Sequence, residues 1–244
     1  MKYDVIIIGS GLGGLACGTL LSKAGRSVLV LERGTQPGGC MQSYRRGPFH
    51  HDTGLHYVGG LAEGQSLHDA FERLGLIELP WVRMDADGFD RVTFGGETFC
   101  LAEGFGHFAE VLGNSFPKER EALRNYVGML QKLDDIPPET PAYDYLVQNF
   151  TDPLLINVLS GAAMRMELRR ESLPLFSFAH SQSSYIQSSW RLKGDGGLLV
   201  DTLVRQIRQA GGEVLCNAEV TGLAAQSGRI RSALCRNGEH YEAD

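Results

Sequence analysis

The chain has 244 residues, 43% of them hydrophobic and 21% charged, the balance of an ordinary globular protein of one or two domains. A formal net charge of −6, with no basic cluster longer than Arg45-Arg46 or Arg169-Arg170, argues against a nucleic-acid-binding face, and no apolar run approaches the ~20 residues that span a bilayer. Asp4 and a glycine turn interrupt any secretory core, and five scattered cysteines (Cys17, Cys40, Cys100, Cys216 and Cys235) without a CxxC pair read as reduced, small apolar residues of a cytoplasmic chain.

Residues 3–8 predict one continuous apolar strand of a parallel sheet covered on both faces. A helix over 13–24 follows, with Leu15, Leu20 and Leu21 apolar and Gly25 ending it, and then a second buried strand over Ser27 to Leu31. This is a complete βαβ unit, whose crossover is expected to be right-handed. Near residue 60 the texture changes. Ser66 to Leu74 predicts a short helix, and Phe89 to Leu101 a hairpin turning at Gly95-Gly96. A longer helix is expected over 117–133, with Leu123, Tyr126, Val127 and Leu130 on one face. Pro137, Pro138 and Pro141 break it, and two helical stretches are expected between Tyr143 and Leu168. From Gly194 the nucleotide-domain pattern returns. Leu199, Leu203 and Ile207 mark a helical face stopped by Gly211-Gly212, and Glu213 to Cys216 reads as a third sheet strand. Val220 to Tyr241 alternates as a small β-meander, turning at Gln226–Gly228 and Asn237-Gly238.

The order predicts an α/β fold: a Rossmann-type domain over 1–60 and 194–244, interrupted by an α+β insertion over 61–193. A doubly wound sheet normally has further strands after the third. The sheet is therefore expected to be incomplete here, with the C-terminal remainder of the same protein lying beyond Asp244.

Gly9-Ser10-Gly11-Leu12-Gly13-Gly14 contains GxGxxG through Gly9, Gly11 and Gly14. The first glycine permits a tight turn out of the strand, the second close approach of backbone to a pyrophosphate, and the third helix-to-strand packing. The phosphates would sit against the free N–H groups and positive end of the helix opening near Gly13. Glu32 ends the next strand, 18 residues after Gly14, where a carboxylate accepts from the ribose hydroxyls of an adenosine. It also disfavours a 2′-phosphate, since like charges ~4 Å apart at an effective dielectric of ~20 repel by about 4 kcal/mol. FAD and NAD share that adenosine half. The second glycine pair, Gly38-Gly39, lies just past the ribose position, would allow another backbone segment to approach an extended cofactor, and favours FAD.

Beyond this point the sequence resembles a known family. The run from the glycine turn through ER-x4-GG, followed by Ser43-x3-Gly47-x-Phe49-x2-Asp52-x-Gly54-x-His56, is similar to the phytoene desaturase-like FAD oxidoreductases. DTGLHYVGG over 52–60 looks most like the retinol saturase and carotenoid isomerase branch, and FDRVTF, FPKERE and KGDGGLLVDTLVRQIRQAGGEVLCNAEV extend the resemblance over nearly the whole chain. The resemblance implies bound FAD. Gly9, Ser10, Gly11 and Gly14 would hold its pyrophosphate, with Gly13 opening the helix, and Glu32 its ribose. Arg33 would lie beside the adenine, Gly38, Gly39 and Met41 along the ribityl and phosphate region, and Val220 would meet the adenine through its backbone. It also implies a C-terminal motif closing over the flavin, which these 244 residues do not contain.

Members of such a family add, remove or isomerise hydrogens on long hydrophobic polyenes or isoprenoids, in a dry tunnel at the flavin. The catalytic residues are unknown from this sequence. His56 is the nearest candidate proton donor, weighed against a structural role. His50, His51 and His56 do not predict a metal site, because adjacent strand residues face opposite ways and no ligand set completes a tetrahedron. Tyr185 and Trp190 read either as tunnel lining or as plain core. The leading reading is an FAD-dependent oxidoreductase on carbon–carbon double bonds, retinol saturase-like or carotenoid desaturase-like. The alternatives are a flavin-dependent carotenoid cis–trans isomerase, a non-catalytic FAD-containing lipid-binding module with peripheral membrane contact, and a redox carrier using NAD.

Overall fold

Where one strand is expected over 3–8, the computed structural model has two, β1 (Lys2–Tyr3) and β2 (Val5–Ile8). The break lies at Asp4. Its carboxylate accepts the Ser27 N–H at 2.8 Å, and its own N–H and that of Val5 both donate to the Ser27 carbonyl, so the chain leaves one sheet and joins another within a residue. Helix α1 (Leu12–Lys23) and β3 (Val28–Leu31) complete the predicted βαβ unit. The structure describes residues 2–137, 139–161, 166–167, 169 and 171–243.

A hairpin that the sequence reading left unassigned follows, β4 (Ser43–Arg46) and β5 (Phe49–Asp52). Next come β6 (Val58–Gly59), α2 (His68–Arg73) and β7 (Trp81–Arg83). The expected hairpin is β8 (Asp90–Phe94) and β9 (Glu97–Leu101), paired in register from Asp90↔Leu101 to Phe94↔Glu97. Helix α3 (Phe105–Ser115) was not anticipated, because glycines at 104, 106 and 113 obscure its apolar period. The helix expected over 117–133 is shorter. A single 3-10 turn at Pro117–Glu119 precedes α4 (Arg120–Leu130). Glu119 is buried at that turn, where its carboxylate accepts the N–H groups of Thr151 and Asp152.

The two expected stretches after Tyr143 are α5 (Ala142–Asn149) and α6 (Pro153–Ser160); Pro138, Leu168 and Arg170 lie outside the described residues. A further helix, α7 (Leu175–Gln187), is rich in serine and glutamine and so carries a weak apolar signal. The chain ends through β10 (Ser189–Leu192), α8 (Gly197–Gln209), β11 (Glu213–Leu215) and the predicted meander β12 (Val220–Gln226), β13 (Arg229–Cys235) and β14 (His240–Ala243).

These elements divide into two compact units, one of Met1–His56, Ala70–Pro80 and Leu192–Asp244, the other of Tyr57–Asp69 and Trp81–Arg191. The first is an open α/β layer structure. Its parallel sheet runs β11-β3-β2, in register Glu213↔Leu29 and Val5↔Val28. Strand side chains alternate between faces, and β3 uses both. Val28 and Val30 pack with Leu15 of α1 and Leu199, Leu203 and Ile207 of α8, while Leu29 and Leu31 pack with Tyr3, Ala218, Ala233 and Cys235 on the meander side. β2 departs from the covered strand expected over 3–8. It pairs with β3 alone among the described residues, so it forms an edge, and Ile8 is 54% exposed. The meander sheet, β1-β14-β13-β12, takes β1 as its parallel edge strand.

The second unit has one large core. Phe108, Leu112, Leu123, Tyr126, Leu130, Leu146 and Phe178 are fully or almost fully buried within it. Its three-stranded sheet is β6-β10-β7. Arg83 pairs with the buried Glu103 at 2.8 Å, and the other Glu103 oxygen accepts the Ser189 N–H. Among the described residues, no helix is long and apolar enough to cross a membrane.

Candidate dinucleotide site

The carboxyl end of β2 delivers the chain into the glycine turn, where the Gly9 N–H donates to the Leu31 carbonyl at 2.8 Å. Helix α1 opens after Gly11 with no side-chain cap, and its first bond runs from the Leu15 N–H to the Gly11 carbonyl. The N–H groups of Leu12, Gly13 and Gly14 therefore lack intrahelical acceptors and carry the positive end of the helix. A side chain at position 14 would overlap the Gly9 carbonyl oxygen, so only glycine lets α1 lie this close to β2.

Gly38 and Gly39 have φ of +119° and +54°, in the region that favours glycine. Their loop approaches the first glycine turn itself. The Gly38 N–H donates to the Ser10 carbonyl at 2.9 Å, and a Cβ on Gly39 would lie 3.0 Å from the Gly11 Cα. The close approach expected of this pair thus has a partner within the protein. Met41 ends the short 3-10 turn Gly39–Met41 and packs against the helix-side core.

Glu32 is gripped from two directions. Its Oε2 accepts the Ser10 N–H at 2.9 Å and the Ser10 hydroxyl at 2.6 Å, and its Oε1 accepts the Gly34 N–H at 2.7 Å. Partial burial by itself would raise this carboxyl. The donors from Ser10 and Gly34, with the charge of Arg33, outweigh it and hold the group below the ordinary carboxylate value. The main chain is tied as well, since the Glu32 N–H donates to the Leu215 carbonyl and the Glu32 carbonyl accepts the Ala218 N–H, both at 2.8 Å. Nearby Cys216 has its thiol raised, first by burial and then by the Glu32 charge, which keeps it protonated. Arg33 is exposed. Val220 opens β12 and packs against the meander-side core, two residues beyond the Ala218 contact. The structure thus brings Gly9, Ser10, Gly11, Gly13, Gly14, Glu32, Gly38 and Gly39 together around one turn.

The histidines do not converge. His50 Nδ1 lies 3.1 Å from Asp195 Oδ2, His51 stacks on Tyr44 with centroids 5.1 Å apart, and His56 is exposed. The β4–β5 hairpin is instead anchored to the start of α8, through Ser43 Oγ to Asp195 at 3.0 Å and the Gly196 N–H to Asp52 at 2.6 Å. A polar cleft of about 520 Å³ lies here, lined in part by Gln36, Gln42, Tyr44, His50 and Asp201. Asp52 and Asp195 are the carboxylates that make this anchor, and Asp195 carries no role in the sequence reading. The available signal was an aspartate placed just before a helix-opening glycine pair.

In the second unit Tyr185 packs on the ring of Tyr57 at 4.8 Å, and Trp190 Nε1 donates to Ser188 Oγ beneath the Arg83 guanidinium.

A family model described as an NAD(P)-binding Rossmann-like domain matches residues 7–74. The all-trans-retinol 13,14-reductase of Danio rerio is 27% identical over 255 residues, covering 89% of this chain and 42% of the relative. The human protein of the same name is 30% identical over 149 residues, covering 59% and 24%. The chloroplastic prolycopene isomerase of Daucus carota is 29% identical over 133 residues, covering 54% and 22%. The chain spans less than half the length of each of these relatives. Among solved structures, an oxidoreductase from Methanosarcina mazei superposes with a TM-score of 0.72 at 20% identity, over 98% of this chain and 57% of that one. Cyclohexylamine oxidase from Brevibacterium oxydans gives 0.69 at 17%, over 100% and 56%, which is a likeness of fold. The Rossmann-like match, the retinol reductase and prolycopene isomerase relatives and the oxidase-type fold together fit a phytoene desaturase-like family.

Proposed function

We propose that this chain forms the dinucleotide-binding part of an FAD-dependent oxidoreductase acting on carbon–carbon double bonds of a hydrophobic polyene or isoprenoid. The observation that carries the reading is the Glu32 carboxylate, held ionised beside the uncapped start of α1. The residues fit an adenosine dinucleotide. The N–H groups at 12–14 are donors without helical acceptors, and Gly14 lets α1 start directly against the Gly9 carbonyl, which holds those donors at the end of β2. Gly9, Gly11 and Gly13 would shape the pyrophosphate cradle and Glu32 would hold the ribose. Arg33, Gly38, Gly39, Met41 and Val220 would flank the remainder of FAD.

When bound, the flavin supplies hydride exchange with the polyene. The protein's part is to orient the dinucleotide and, through Glu32, to disfavour a 2′-phosphate. His56, exposed in this chain, is the candidate proton donor of this reading, with a structural role as its alternative. A second reading, cis–trans isomerisation by reduced flavin without net turnover, draws on the similarity to prolycopene isomerase. Peripheral membrane contact would run through exposed apolar side chains of the second unit such as Val147 and Phe176.

Cofactor extraction from the whole protein, followed by anaerobic titration of the reduced form with retinol-like and carotenoid substrates, tests the reading. Saturation of a double bond with flavin reoxidation supports the oxidoreductase, and isomerised product with flavin still reduced supports the second reading. Whole protein that takes up no FAD on reconstitution sinks both.

A further inference from the structure

Ser10 carries the sole hydrogen-bonding side chain in the glycine turn, and it is fully buried at 0% exposure. Its hydroxyl has one proton, which goes to Glu32 Oε2 at 2.6 Å, and it accepts the Gly38 N–H at 3.2 Å. Its main-chain N–H donates to the same carboxylate oxygen at 2.9 Å, and its carbonyl accepts the Gly38 N–H at 2.9 Å. Every polar group of this residue is therefore committed to Glu32 or Gly38. None is left to meet a phosphate, the role the family resemblance assigns to it.

We infer that Ser10 is a positioning residue: it orients the Glu32 carboxylate toward an adenosine ribose and staples the 34–39 loop to the glycine turn. The inference rests on the adenosine-dinucleotide reading above and adds a division of labour within it. Phosphate contact is left to the N–H groups at the start of α1, while Ser10 acts at a distance on the sugar. Glu32 Oε1 accepts only the Gly34 N–H among the described residues, so an acceptor direction stays open there for a hydroxyl. Hydrogen bonds from a neutral donor to a carboxylate are among the stronger ones, and losing the shortest of the three on Glu32 loosens its orientation while the two main-chain donors remain.

The test compares ADP with 2′,3′-dideoxy-ADP, which keeps the phosphates and lacks the ribose hydroxyls. In the whole protein, Ser10→Ala is expected to weaken ADP about tenfold and to leave the dideoxy analogue within twofold of wild type. The same substitution in a Glu32→Gln background is expected to change ADP affinity less than twofold. The acid limb of ADP binding is also expected to move to higher pH in Ser10→Ala, because the carboxyl loses a donor to its charged form. Equal loss of both nucleotides would assign Ser10 to the phosphates or to general folding and overturn the proposal, as would unchanged ADP binding. Wild-type protein that binds neither ADP nor FAD would instead remove the underlying reading.

Discussion

The two compact units order their chains by opposite means. In the first, the turn that carries the candidate site is built by backbone approaching backbone, Gly14 against Gly9 and Gly39 against Gly11, with modest cores on either face of β3. In the second, large side chains fill one core, and Phe108, Tyr126 and Phe178 have almost no exposed surface. One region is limited by what can be added to it, the other by what can be removed. A ligand-binding turn needs exposed N–H groups and hence small residues, whereas a stable body needs buried apolar area.

Substitutions at matched positions break or sharpen this contrast. The largest expected effect is in the second unit, where Phe108→Ala removes a fully buried ring and should cost about 3–5 kcal/mol. Thermal unfolding measures it, and a loss under about 1 kcal/mol would mean the core closes around the gap and the contrast is false. Next is addition in the first unit. Gly14→Ala places a methyl on the Gly9 carbonyl and should cost about 1–3 kcal/mol. It should also remove detectable FAD binding, and normal uptake by flavin fluorescence would show that the turn has slack.

Glu32→Gln changes almost no volume, so it isolates charge. A loss of about tenfold in FAD affinity with little change in unfolding temperature is expected, equivalent to about 1.4 kcal/mol. Equal affinity would detach Glu32 from the site. The pH dependence has a definite sign. The folded Glu32 carboxyl lies below its ordinary value of 4.5, so its stabilising contribution is complete above that pH. It is lost as pH falls through the lower folded value. The small difference in stability between wild type and Glu32→Gln should therefore be constant near neutrality and vanish as pH falls below about 4.5.

The smallest effect is a gain. The Tyr126 hydroxyl is buried with no hydrogen-bond partner among the described residues, and burial pushes its pKa strongly upward. Tyr126→Phe removes an unsatisfied group at constant shape and should stabilise by about 1 kcal/mol. A destabilised variant would show that the hydroxyl is satisfied and that the core is less apolar than its contacts indicate.

Much of the first unit was legible because its signals are local. A strand, a glycine turn, a helix and an acidic residue at fixed spacing each express short-range sterics, and so do the turns at Gln226–Gly228 and Asn237-Gly238, as does Gly95-Gly96 in the second unit. The second unit was legible where apolar spacing is strong, as in α4, and poorly where glycine or serine dilutes it, as in α3 and α7.

What the amino-acid order determined by itself is the α/β class and a dinucleotide-type turn answered by Glu32, because both follow from steric and charge rules acting over a few residues. Tertiary structure alone decided that the first strand divides at Asp4, that β2 pairs with β3 alone among the described residues, and that Ser10 turns inward to Glu32 across 22 positions of sequence. Each of these depends on which distant backbone groups come within about 3 Å, and hydrogen bonds that close long loops leave no periodic trace in a sequence.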